Sequence, residues 1–371
     1  MLTRTATSVV LVLGLAAPAT AIATADAAGA ATAATAATAV MAEPTAGPGW
    51  HAVPTPTLQA GAALYQVAPA NRRLAWAVGT QNQDKDSVLL RWNGHAWAEE
   101  RLPDTPGAGL FTVAAAGPRR AWAGGGKSPD GKGYAIHWNG RAWRRVGVPD
   151  GLQITKIAAS RGGAAWALAS DSLSTSVLRY DKHQWVRADV PLPAHASPWA
   201  IAVRNARDVW ITGSASALPF ALHWDGTQWQ NVAVPGGYYE VITQILPLGP
   251  DNVWAYSDDT YMNVSATLLH WDGTTWTKSQ PGVQLGASSQ LTDDGEGGFW
   301  LSYYGGLGHS RYLRYQSGGF TDALGPDRTD TFVDTLDIAR VPGTRTVWSV
   351  GRARDYSGAN GPNQAVIERF N

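Results

Sequence analysis

The chain of 371 residues contains no cysteine, which excludes disulfides and a thiol-linked lipid anchor and leaves packing to hold the fold together. It has no excess charge of either sign, since 29 Lys and Arg balance 29 Asp and Glu, and no Lys/Arg stripe recurs along the chain. A nucleic-acid partner is therefore not expected. It also lacks a membrane-spanning apolar run: the longest candidate, Val9 to Ala17, is too short, so no membrane insertion is expected. Phenylalanine and methionine are scarce, at 6 and 3, yet there are 18 tryptophans.

Seven of those tryptophans are evenly spaced. Trp76, Trp122, Trp166, Trp210, Trp254, Trp300 and Trp348 are separated by 46, 44, 44, 44, 46 and 48 residues, the signature of a repeat architecture. Each of the first six is followed by a strand, a tight turn and a second aromatic: L-R-W-N-G-H-A-W (Leu90 to Trp97), I-H-W-N-G-R-A-W (Ile136 to Trp143), L-R-Y-D-K-H-Q-W (Leu178 to Trp185), L-H-W-D-G-T-Q-W (Leu222 to Trp229), L-H-W-D-G-T-T-W (Leu269 to Trp276) and L-R-Y-Q-S-G-G-F (Leu313 to Phe320). Asn-Gly and Asp-Gly between apolar runs predict hairpins with two-residue type I′ turns. The marker lies in a strand such as A-W-A-V-G, and an apolar strand precedes it across a Gly, Pro, Asn or Arg turn.

Four antiparallel strands per repeat of about 46 residues predict an all-β, seven-bladed β-propeller over residues 49–371. The last repeat stops at V-I-E-R-F-N (Val366 to Asn371), lacking a fourth strand, and G-W-H-A-V-P (Gly49 to Pro54) is left over before the first. The N-terminal strand is thus expected to pair in the last blade and close the ring, removing an exposed edge. Ahead of it, residues 1–25 read as a signal peptide with cleavage after Ala25, and residues 26–48 as an Ala/Thr-rich flexible linker. The expectation is a secreted, extracellular monomer without a cofactor.

V-W-I-T-G (Val209 to Gly213) paired with L-H-W-D-G-T-Q-W resembles the secreted seven-bladed propellers of high-GC actinobacteria, which are similar to kelch and galactose-oxidase central domains. The resemblance implies the fold over residues 50–371 and little about activity. Departures are plain. Without cysteine the crosslinked tyrosine of galactose oxidase cannot form, D-G-x-x-W differs from the D-x-G-x-x-W of sialidase Asp boxes, and the terminal Trp-Asp of WD repeats is absent.

Most chemistry-bearing residues have a packing explanation. His137, His223 and His270 occupy the repeat position that Arg91, Arg179 and Arg314 fill elsewhere, so no metal site is expected from them. Ten residues before the marker, in the innermost strand, stand Gln66, Thr112, Lys156, Ala200, Gln244 and Gln290, with Thr335 taken as the seventh. This mostly polar ring reads either as a hydrogen-bonded collar around the channel or as the floor of an axial pocket. One residue earlier lies a rim of Tyr65, Phe111, Thr155, Trp199, Thr243 and Ser289, with Asp334 as the seventh.

Trp199 is the one tryptophan outside the repeat positions. The variable second-to-third loops and blade connections share its face, and function resides on such loops. The predicted ligand-binding set is Trp199, Tyr238, Tyr239, Lys156, Gln244, Asp334, Tyr303 and Arg352, with Tyr304 beside it, for an extracellular glycan or protein. The alternatives are a carbohydrate-active hydrolase or lyase using Glu240, Asp334 or His309 as acid or base, and a cell-envelope scaffold. No catalytic residue is assigned.

Overall fold

A computed structural model describes residues 49–104, 109–259, 266–279, 281, 285, 289–303, 306–356 and 361–371. The expected signal peptide and linker, and Tyr304, lie outside the described residues. The described strands form seven antiparallel blades in a ring. Blade 1 is Ala63–Asn71, Leu74–Gln81, Asp86–Trp92 and Trp97–Glu99; blade 4 is Ala196–Asn205, Asp208–Ala215, Leu218–Trp224 and Trp229–Val232. Blades 2, 3, 5 and 6 begin at Leu110, Gln153, Glu240 and Gln290. Blade 7 comprises Arg328–Arg340, Val347–Asp355, Gln364–Phe370 and, from the other end of the chain, Trp50–Val53, and the short strand Gly306–Gly308 of blade 6 pairs with the N-terminal part of Arg328–Arg340 as a fifth strand. The closing register pairs Trp50 with Phe370 and Val53 with Ile367.

Every marker tryptophan packs on the hairpin aromatics of the following blade. Trp76 meets Trp138 and Trp143, Trp166 meets Trp229, Trp210 meets Trp271 and Trp276, and Trp348 returns to Trp92 and Trp97. At the closure, Trp50 and Phe370 supply these aromatics for Trp300, at 5.5 and 4.7 Å between ring centroids. The core is accordingly seven apolar clusters, one in each blade-to-blade junction. Fully burying one tryptophan contributes at most about 4–6 kcal/mol. The repeat histidines serve the same packing: His223 stacks on Trp210 at 4.2 Å with its Nε2 3.1 Å from Asp208, and His270 stacks on Trp254 at 4.4 Å.

Two expectations need correction. The Asn-Gly and Asp-Gly hairpins hold four residues between the paired aromatics, and their Asn or Asp keeps an ordinary φ. The side chain closes the loop instead: Asp225 Oδ1 accepts from the N–H groups of Thr227 and Gln228 at 2.7 and 2.9 Å, and Gly226 alone takes positive φ, at 98°. Two-residue turns with both φ positive occur in blade 3, at Lys182 and His183, where no Asn-Gly or Asp-Gly stands.

The second correction is a frame shift in blade 7. Arg340 pairs with Val347, which makes this turn one residue longer than that of blade 1, not three. Asp337, not Thr335, therefore pairs with the residue two past the marker and occupies the ring position. The rim position falls to Leu336 rather than Asp334. Both shifts are two residues, so the alternation of a strand could not expose them.

Candidate functional site

The innermost strands bulge at one recurring place. Register breaks between Leu64 and Gln66, Leu110 and Thr112, Ile154 and Lys156, Pro198 and Ala200, Ile242 and Gln244, and Thr335 and Asp337. The residue skipped in each is a rim residue: Tyr65, Phe111, Thr155, Trp199, Thr243 and Leu336. A bulge leaves its extra residue without ladder partners and re-aims the side chain. A glycine often faces it; a Cβ on Gly213 would sit 2.1 Å from the Ser197 carbonyl oxygen. The strand motif ending in glycine thus sets the backbone that presents Trp199.

Trp199 is 53% exposed, alone among the tryptophans of the described residues in being so. Tyr238 and Tyr239, on the connection from blade 4 to blade 5, are 72% and 49% exposed, with rings 6.4 Å apart. The Tyr239 N–H donates to Ala217 O at 2.7 Å, tying the connection to the second-to-third turn of blade 4, where Leu218 is also exposed. These three predicted residues therefore lie at one end of blade 4 and its outgoing link. All nine exposed large apolar side chains of the described residues, Phe111, Leu173, Trp199, Leu218, Tyr238, Tyr239, Leu307, Leu324 and Tyr356, stand at this same face of the ring. Sequence reasoning placed Phe111 on the rim but passed over the leucines and Tyr356.

The ring positions stitch neighbouring blades together. Asp337 Oδ2 accepts from Val67 N–H at 2.9 Å, Gln66 Oε1 from Val113 N–H at 3.0 Å, and Thr112 Oγ1 from Ile157 N–H at 2.8 Å. Each bond satisfies an innermost-strand amide that has no further strand to pair with. Lys156 has no acceptor to continue the series, and Ala200 has no polar group. Instead Lys156 is near enough to Asp337 for each charge to act on the other, although no ion pair joins the two. Burial lowers the Lys156 pKa, against the opposing pull of Asp337, and burial pushes Asp337 up to about 7 against the pull of Lys156. Gln244 is half-buried at its ring position in blade 5.

The other predicted residues are dispersed. Asp334 faces Arg352 across the first pair of strands of blade 7, with Oδ2 3.1 Å from Arg352 Nε and 3.8 Å from Arg354. The Arg352 charge reaches Tyr65, whose phenol burial raises in pKa and whose hydroxyl bonds Thr80 and Asp84 at 3.0 and 2.9 Å. Tyr65 packs edge-on against Phe111 at 5.9 Å. Tyr303 does not line the face: it is 6% exposed, part of the core between blades 5 and 6, and its hydroxyl donates to Asp322 at 2.6 Å. Its position three past the marker buries it where blades 1, 2, 4 and 7 have glycine. Burial pushes its pKa up to about 12.

The three acid–base candidates sit in separate blades. Glu240 is held by Lys278 at 3.1 Å, Asp334 by its two arginines, and His309 Nδ1 lies 3.1 Å from Gly325 O. Among the described residues no group of three His, Cys, Asp or Glu is placed to hold a metal ion.

No protein-family model and no curated protein matches the chain. Solved structures do share its fold. YCF48 bound to D1 peptide has a TM-score of 0.57 at 16% identity over 86% of this chain and 96% of its own. YCF48 from Cyanidioschyzon merolae has 0.57 at 15%, over 87% and 98%. U3-55K has 0.58 at 9%, over 88% and 100%. At these identities the likeness is to the β-propeller fold alone.

Proposed function

We propose that this chain is a secreted binding module that holds an extracellular protein ligand against its loop face, anchored by Trp199, Tyr238 and Tyr239. The carrying observation is the confinement of all nine exposed large apolar side chains of the described residues to that face. Exposed apolar groups gathered on one side mark an interaction surface, and aromatic anchors carry a disproportionate share of binding energy. Four of the nine are leucines. Aliphatic side chains complement a protein's apolar groups, whereas a sugar needs flat aromatic faces, so a protein ligand is favoured over a glycan. The peptide-bound YCF48 structure is consistent with this use of the fold. The signal peptide read in residues 1–25 supplies the extracellular setting.

The test compares the wild-type chain with a Trp199→Ala, Tyr238→Ala variant, immobilised and exposed to extracellular protein from the source culture and to a glycan panel. The expected result is a retained protein that the variant releases or binds about 100-fold more weakly, with its melting temperature within a few degrees of wild type. Equal retention by both chains would reject the anchors. Capture of a glycan alone would replace protein by sugar as the ligand class.

A further inference from the structure

The opposite face, formed by the first-to-second and third-to-fourth turns, is built differently. At the junction of blades 6, 7 and 1 it holds a cavity of about 700 Å³ whose wall carries Arg72, Arg340, Arg345 and Arg369 and no carboxylate. Three of these guanidiniums are oriented by neighbours. Arg340 is ion-paired with Asp293 and donates through Nη1 to Thr344 O at 2.8 Å. Arg345 is ion-paired with Glu296, a carboxylate shared with Arg314 at 2.7 Å. Arg369 lies 5.4 Å over the Trp348 ring, in the packing position its repeat partners occupy elsewhere. Arg72 reaches in from the exposed turn of blade 1.

The surrounding charge is divided at the cavity, which lies where an arginine-bearing arc of turns meets the acidic turn of blade 6. Going round the ring from blade 7 through blades 1, 2, 3 and 4, every first-to-second turn brings at least one arginine to this face, Arg119 and Arg161 among them; blades 5 and 6 bring Asp251, Asp293, Asp294 and Glu296. The chain as a whole is neutral, so this separation is a property of the fold. Guanidinium forks match the paired oxygens of phosphate and carboxylate, and several forks converging on one cavity favour a group with more than one negative charge.

We infer that this cavity is a second binding site, for a phosphate-bearing ligand, on the face away from the apolar anchors. Arg345 and Arg72 form its mouth and Arg340 and Arg369 its wall. The positive turns of blades 1 to 4 steer the anion toward it, so affinity falls as salt rises.

The test titrates the full chain by calorimetry at low salt with inorganic phosphate, inorganic pyrophosphate and citrate. The expected result is saturable binding of phosphate and tighter binding of pyrophosphate. An Arg72→Glu, Arg345→Glu variant should lose roughly tenfold or more in affinity, and Arg72→Gln a smaller part of that, both with melting temperatures close to wild type because the two side chains are exposed. Trp199→Ala should leave these affinities unchanged. Absence of phosphate and pyrophosphate binding, equal affinity in the charge-reversed chain, or binding of citrate in their place would overturn the assignment.

Discussion

The two faces of the ring are made from the same seven repeats and differ in almost everything they show to solvent. One gathers exposed aromatic and leucine side chains on loops and bulges of unequal length. The other is a set of short turns that carries arginines in five consecutive blades and a cavity walled by four of them. The difference teaches that a repeat fold fixes the interior and leaves each face free. Trp199 and Trp210 make the point within a single blade. They lie on adjacent strands of one sheet, yet Trp210 is 1% exposed and Trp199 53%.

Four perturbations break or sharpen this contrast. The largest effect should come from removing residues 49–56, because Trp50 is both the last sheet edge and the partner of Trp300. Loss of a single cooperative melting transition is expected, and a truncated chain that melts like wild type would mean the ring does not depend on this closure. Next is Trp210→Ala, which should cost about 3–5 kcal/mol by leaving a cavity between blades 4 and 5. That corresponds to a fall of about 4–7 °C in Tm for a domain of this length. Trp199→Ala should shift Tm by no more than about 2 °C, and similar shifts in the two variants would erase the distinction between framework and face.

The third perturbation lies on the axis between the faces. Asp337 is pushed up to about 7 in the folded chain, so the native state holds its proton more tightly than the unfolded state does. Its contribution is present at low pH and is lost as pH rises from about 4 to about 7. His137 slopes the other way: burial, with Arg120 and His183, lowers it to about 4, so stability is lost as pH falls from about 6.5 toward 4. Asp337→Asn should therefore gain in Tm relative to wild type between pH 5 and pH 7.5, by a few degrees. A constant offset across that range would show that the carboxyl does not titrate there. Phosphate affinity unchanged in this variant would further show that the faces act independently. The smallest effect should be Gly226→Ala. Its Cβ would meet Arg207 Cβ at 2.7 Å at a φ of 98°, costing on the order of 1 kcal/mol. Melting temperatures of this variant and wild type check it.

The legible parts of the fold were those in which the same residues recur. The marker tryptophans, the hairpin aromatics and the displaced closing strand each follow from spacing, and the blades contain them at those places. Turn chemistry was less legible, since Asp225 can satisfy a loop with its side chain as readily as it can adopt positive φ. Blade 7 was misaligned because shifting a strand by two residues keeps its alternation; only pairing of Arg340 with Val347 fixes Asp337 on the axis. Within the candidate site, Trp199 was recognisable because it breaks the repeat. Tyr303 was not placed correctly, because proximity to a loop in sequence does not reveal that a side chain turns inward to Asp322.

By itself, the sequence determined the repeat, the number of blades, the order of strands and the ring-closing pair, because all are consequences of a hydrophobic period that each unit can satisfy only by burying its tryptophan against the next. Tertiary structure decided which residues meet. Arg72, Arg345 and Arg369 come from opposite ends of the chain to one cavity, and Lys156 and Asp337 come from blades 3 and 7 to one channel. The physical reason is that closing a ring turns sequence separations of some 180 to nearly 300 residues into a shared site, and the register and turn lengths that choose its members leave no periodic trace.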